Sequence, residues 1–145
     1  MPQLLVKPGR YLMAADPVCG TNGLAPCIGV AIYHGKWFIA HIESRATVKT
    51  RKDPVWARVA TCTRNRLQQL LGPCGAQSVH VIGNFGDFSS IAIRDGIAAW
   101  VNGTVAITCD AWDGFEINAN GTFRSLTYEE NNTDGDGAFS IPANL

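Results

Sequence analysis

The chain has 145 residues, 46% of them hydrophobic and 17% charged, with 12 Lys and Arg balanced by 12 Asp and Glu. That is enough apolar material for one packed core and too little charge for a disordered chain. A net charge of zero argues against a nucleic-acid binder and against a polybasic membrane anchor, and no apolar run reaches the ~18–20 residues that a bilayer span needs.

The first segment joins a short Leu/Val run to a second apolar stretch, Tyr11 to Ala15, across Lys7, Pro8, Gly9 and Arg10. That interruption removes the unbroken apolar stretch of a signal peptide, so the expectation is a soluble, cytoplasmic domain. Residues 27–33 and 37–42 are strand-like runs separated by His34-Gly35-Lys36, a hairpin signature. A helix follows: Asp53 caps it, Pro54 suits its first position, and apolar residues recur at three-to-four spacing from Val55/Trp56 to Leu70/Leu71 before Gly72. Arg58, Arg64 and Arg66 decorate its other side. The run SVHVIGNF is a buried strand, and Ser89 to Trp100 a short helix or strand weakened by Gly96. Strands are expected over 104–109, 115–117 and 122–126, with a turn at 118–121. The final residues, 128–145, are polar and Gly-rich and read as a mobile tail after a single domain over 1–127. The class is α+β.

Five cysteines are present with no C-x-x-C pair, so a zinc ribbon and a thioredoxin motif are excluded. Asp134-Gly135-Asp136-Gly137 lacks the third oxygen ligand and the closing Glu of a calcium loop, and His34, His41 and His80 show no paired spacing, so no metal site is expected. Phosphate-loop and serine-elbow motifs are absent. Three N-x-S/T triplets, at Asn102, Asn120 and Asn131, read as turns.

A cysteine nucleophile remains. Cys27 follows the small-residue turn 21–26 and opens a strand, which exposes sulfur at a sheet rim with its own N–H beside it. With the hairpin turning at Gly35, residue 27 pairs near residues 41–43, which makes Cys27 and His41 cross-strand neighbours. Thr21 is near enough in sequence to orient the imidazole. The same residues also fit a core strand carrying a buried thiol and a satisfied histidine. Cys19, Cys62, Cys74 and Cys109 read as structural, and the four tryptophans as packing residues.

The run Thr21-Asn22-Gly23-Leu24-Ala25-Pro26-Cys27-Ile28-Gly29-Val30, followed by Ala40-His41, resembles the chemotaxis receptor glutamine deamidases (the CheD family), whose pattern is T-x-G-L-G-S-C-V-A-V, a short loop, then A-H. Leu5 to Tyr11 is similar to that family's opening strand. A comparable Cys–His arrangement occurs in deamidase toxins of the cytotoxic necrotising factor type. The resemblance is good over residues 4–45 and departs from the family at Ala25 and Pro26 and in the Ile42-Glu43-Ser44-Arg45 exit from the second strand.

The resemblance implies a strand-rich β-sandwich flanked by helices. It also implies hydrolysis of a side-chain carboxamide on a protein Gln or Asn, through a Cys27 thioester. His41 is then general base and acid, Thr21 holds the ring, and Ala25, Pro26 and Cys27 form the substrate and oxyanion turn. No cofactor, nucleic acid or membrane is implied, and a toxin of this type would act in a host cytoplasm. Such a nucleophile is expected to react as a thiolate below the ordinary thiol pKa of about 8.5. The alternatives are an inactive protein-binding module of the same fold and an amidase acting on a terminal Asn or a small amide.

Overall fold

The computed structural model describes residues 3–145. The fold is α+β, with two helices and two sheets among the described residues. In chain order the elements are β1 (Leu4–Leu5), β2 (Arg10–Ala15), β3 (Cys19–Asn22), β4 (Ile28–Tyr33), β5 (Trp37–Ser44), α1 (Pro54–Leu71), β6 (Ser78–Ile82), α2 (Phe88–Val101), β7 (Ile107–Asp110), β8 (Gly114–Ile117), β9 (Phe123–Ser125), β10 (Gly137–Ala138) and β11 (Ser140–Ile141).

Strands β10-β2-β5-β4-β6-β7 form one sheet, with β11 added alongside β5, and β1-β3-β8-β9 form the other. Because side chains alternate along a strand, the large sheet serves two cores. Ile28, Val30, Ile32, Phe38, Ala40 and Ile42 face the helices, against Trp56, Val59, Leu67, Ile93 and Ile97. Ala31, Trp37 and Ile39 face the small sheet, against Cys19, Phe115 and Ile117. The order is therefore helices, large sheet, small sheet. No helix among the described residues is long and apolar enough to cross a membrane.

The hairpin forms as its sequence predicts. Gly35 takes φ 92° at the turn, and the register runs from Tyr33↔Trp37 to Ile28↔Ile42. Helix α1 carries the expected caps: the Asp53 carboxylate accepts from the Val55 N–H, and Gly72, at φ 71°, closes the last turn onto Gln68. The segment read as a short helix or a strand over 89–100 is the full helix α2. Gly96 is where it meets α1, since a Cβ there would stand 2.4 Å from the Ala60 carbonyl oxygen and 2.7 Å from Thr63 Cβ.

The mobile tail expected over 128–145 needs correction, because this segment is built into the body. Strand β10 pairs antiparallel with β2 and β11 pairs parallel with β5. Between them Phe139 is fully buried, with Ile141 only 1% exposed. Phe139 and Ile141, set in a segment rich in Asn, Asp, Glu and Gly, are too sparse to register as a strand pattern, yet they complete the helix-side core.

Candidate active site

His41 faces the small sheet from β5, and Thr21 comes to it from β3. Both are fully buried. Thr21 Oγ1 lies 2.6 Å from the Val6 carbonyl oxygen and 2.7 Å from His41 Nδ1. A carbonyl only accepts and a hydroxyl has one proton. The Thr21 hydroxyl therefore donates to Val6, and the His41 Nδ1–H donates to Thr21. This assigns the tautomer: Nε2 carries the free lone pair. That Nε2 is buried and has no hydrogen-bond partner among the described residues. Burial lowers the His41 pKa from 6.5 to about 4, so the ring is neutral at pH 7.

The residue opposite His41 is Gly29. A Cβ at Gly29 would stand 2.9 Å from both Leu24 Cδ1 and Phe115 Cε1, so these two apolar groups close over the strand beside the imidazole. Cys27 lies one residue before β4. Continuing the ladder past Ile28↔Ile42 sets it opposite Glu43, on the face of the hairpin shared by Gly29 and His41. On that continued register Cys27 stands two residues from His41 along the ladder rather than directly opposed, and His41 is not among the residues lining the cleft at Cys27.

The turn that carries Cys27 is tied at both ends. The Leu24 N–H donates to the Asp113 carbonyl at 2.8 Å, and the Ser90 hydroxyl of α2 donates to the Pro26 carbonyl at 2.5 Å. Ser90 is itself set by Asp87, the N-cap of α2, whose carboxylate accepts from the Ser90 N–H at 2.7 Å. Pro26 has no N–H to offer an oxyanion. Its part in the turn is positional, which leaves backbone N–H groups at Ala25 and Cys27.

Cys27 is half-buried and opens on a cleft of about 340 Å³ whose lining includes Pro26, Glu43, Asp87, Ser89 and Ile93. No Lys or Arg lines it. The expectation of a thiolate poised below the ordinary thiol range does not hold for this resting arrangement. Burial first, then the negative charges of Glu43 and Asp87, push the Cys27 thiol up to about 11. Thiol and imidazole are both neutral before substrate arrives.

The other cysteines lack a comparable setting. Cys19 is buried and raised to about 12, by burial first and then by Glu116 and Asp16. A larger groove of about 510 Å³ runs along α1 between Arg58 and Arg66 and contains Cys62, but no histidine lines it. His80 stacks on Phe123 with ring centroids 4.0 Å apart, and His34 lies in the hairpin turn. Among the described residues no three His, Cys, Asp or Glu side chains converge as metal ligands.

Sequence reasoning missed the other side of Thr21. Asn131, half-buried, pairs its side-chain amide with the backbone of Asn22: Oδ1 accepts from the Asn22 N–H at 2.8 Å and Nδ2 donates to the Asn22 carbonyl at 2.9 Å. The only sequence signal there was an Asn-Asn-Thr triplet, which reads as a turn. In comparisons with known proteins, no family model and no curated protein matches the chain.

Proposed function

We propose that this protein is a cysteine-dependent deamidase of CheD-like fold, converting the side-chain carboxamide of a protein Gln or Asn to a carboxylate with release of ammonia. The observation that carries the reading is the buried line from the Val6 carbonyl through Thr21 to His41. It leaves an unpartnered basic nitrogen on the hairpin face that also presents Cys27.

Cys27 Sγ attacks the carboxamide carbon as its proton passes to His41 Nε2. Transfer is coupled to attack, because both groups are neutral at rest. The Cys27 N–H faces the oxygen that becomes negative, a contribution of roughly 3 kcal/mol for one well-aimed donor. The C–N bond breaks as His41 returns the proton to nitrogen, and ammonia leaves a thioester. Water then attacks the thioester, giving its proton to His41, and the C–S bond breaks as that proton returns to sulfur. A neutral carboxamide enters the cleft without meeting a like charge. The carboxylate product faces Glu43 and Asp87, and their repulsion drives it out. Thr21 accepts the Nδ1–H throughout, so the proton that comes and goes is always the one at Nε2.

The test is ammonia release from an N-blocked glutaminyl-glycine dipeptide and from a mixed protein pool, with mass spectrometry locating amide-to-acid conversions. Cys27→Ser is expected to lower the rate on the order of 10⁴-fold or more, as loss of a covalent nucleophile does, with an unchanged circular dichroism spectrum. Full activity in Cys27→Ser overturns the reading.

A further inference from the structure

We propose that Asn131-Asn132-Thr133 is a positioning device for the His41 imidazole, acting through the two backbone stretches that fix Thr21. The inference rests on the reading of His41 as the base. Thr21 can hold the ring in one tautomer only while its own proton is committed elsewhere, and its acceptor is the Val6 carbonyl. The geometry of that relay therefore depends on β3, which carries Thr21, and on the chain leaving β1, which carries Val6.

The tripeptide grips both. Asn131 pairs with both backbone groups of Asn22, the residue after Thr21. Its Oδ1 also stands 3.5 Å from Thr21 Oγ1; as a second acceptor it favours the same hydroxyl orientation, away from the ring. Asn132 Oδ1 accepts from the Leu5 N–H at 2.9 Å and its Nδ2 donates to the Gln3 carbonyl at 2.8 Å. Thr133 bridges to Val6 itself, its carbonyl accepting from the Lys7 N–H at 2.9 Å and its N–H donating to the Leu5 carbonyl at 3.0 Å. Two consecutive asparagine amides thus serve as side-chain stand-ins for strand pairing, one on each element that holds the relay. Small displacements of a proton-transferring group are costly: a misplacement of about 1 Å lowers the rate by about 10²-fold.

The experiment follows the ring nitrogens of His41 by ¹⁵N NMR at neutral pH, with His41→Gln assigning the signals. The wild type is expected to show a single Nδ1–H tautomer. Asn131→Ala/Asn132→Ala is expected to show a mixture of tautomers while far-UV dichroism stays unchanged, and Asn120→Ala, in a turn outside the relay, is expected to leave the signals alone. Should the double alanine variant not fold, Asn131→Asp and Asn132→Asp keep each acceptor while removing each donor, and they are read the same way. A single tautomer retained in the folded variants overturns the proposal. On the glutaminyl dipeptide the folded variants are expected to lose about 10²-fold in kcat with KM unchanged. A wild type that shows the single tautomer and releases no ammonia overturns the deamidase reading instead, and leaves the positioning result standing.

Discussion

At His41 the protonation state is set by loss of water, since desolvation is what lowers the pKa from 6.5 to about 4. That has a consequence for stability. Between these values the unfolded chain binds a proton that the folded protein refuses, so stability is complete above pH 6.5 and falls as pH drops toward 4. The difference of about 2.5 pKa units amounts to roughly 3 kcal/mol from this group. Urea midpoints measured across that range are expected to fall steeply in the wild type and less steeply in His41→Gln; equal slopes would show that the ring titrates freely. The hairpin register and the nearness of Thr21 to His41 were legible in the sequence because a tight turn makes cross-strand arithmetic reliable and because Thr21 and His41 fall within one short motif. Asn131 and Asn132 were not, since side-chain amides that bond to backbone more than a hundred residues away leave no periodic trace.

Among the elements, α1 was readable because its signals are local: a capping Asp, a Pro in the first turn, an apolar stripe and a closing Gly. Helix α2 was obscured by Gly96, which in isolation counts as a helix weakener of about 1 kcal/mol relative to Ala. The contact with α1 reverses that sign. A methyl at Gly96 would meet the Ala60 carbonyl oxygen at 2.4 Å and Thr63 Cβ at 2.7 Å, distances that only a shift of the helices relieves. No side-chain rotation relieves either contact, because the carbonyl oxygen is backbone and the position of a Cβ is fixed by the backbone. Gly96→Ala is therefore expected to destabilise the fold by about 1–3 kcal/mol, the usual cost of overpacking, despite the better helix former. Thermal unfolding checks it, and a raised midpoint would mean that the helices part freely.

Over the whole molecule, the helix-side core of the large sheet is closed by residues of the 128–145 segment. Phe139 is fully buried among the helix-side residues, its N–H donates to the Gly9 carbonyl at 2.7 Å, and the Ile141 carbonyl accepts from the Arg45 N–H at 2.8 Å. Phe139→Ala is expected to cost about 3–5 kcal/mol, as for other buried phenylalanines. A chain ending at residue 127 is expected to lose cooperative unfolding. Calorimetry of both decides it: an unchanged transition in the truncated chain would make 128–145 an appendage. Composition hid this role, because the segment's turn-forming residues outnumber the two side chains that anchor it.

The tripeptide that braces the relay also gives the protein an order of completion. Val6, Thr21, Cys27 and His41 lie in the first third of the chain, while the residues that steady them come near its end. Chains emerge from the ribosome N-terminus first, at ~5–20 residues per second. On the deamidase reading, the nucleophile is exposed early and its base is aligned only when synthesis has passed residue 133. On that reading the reactive residues are made before the residues that align them.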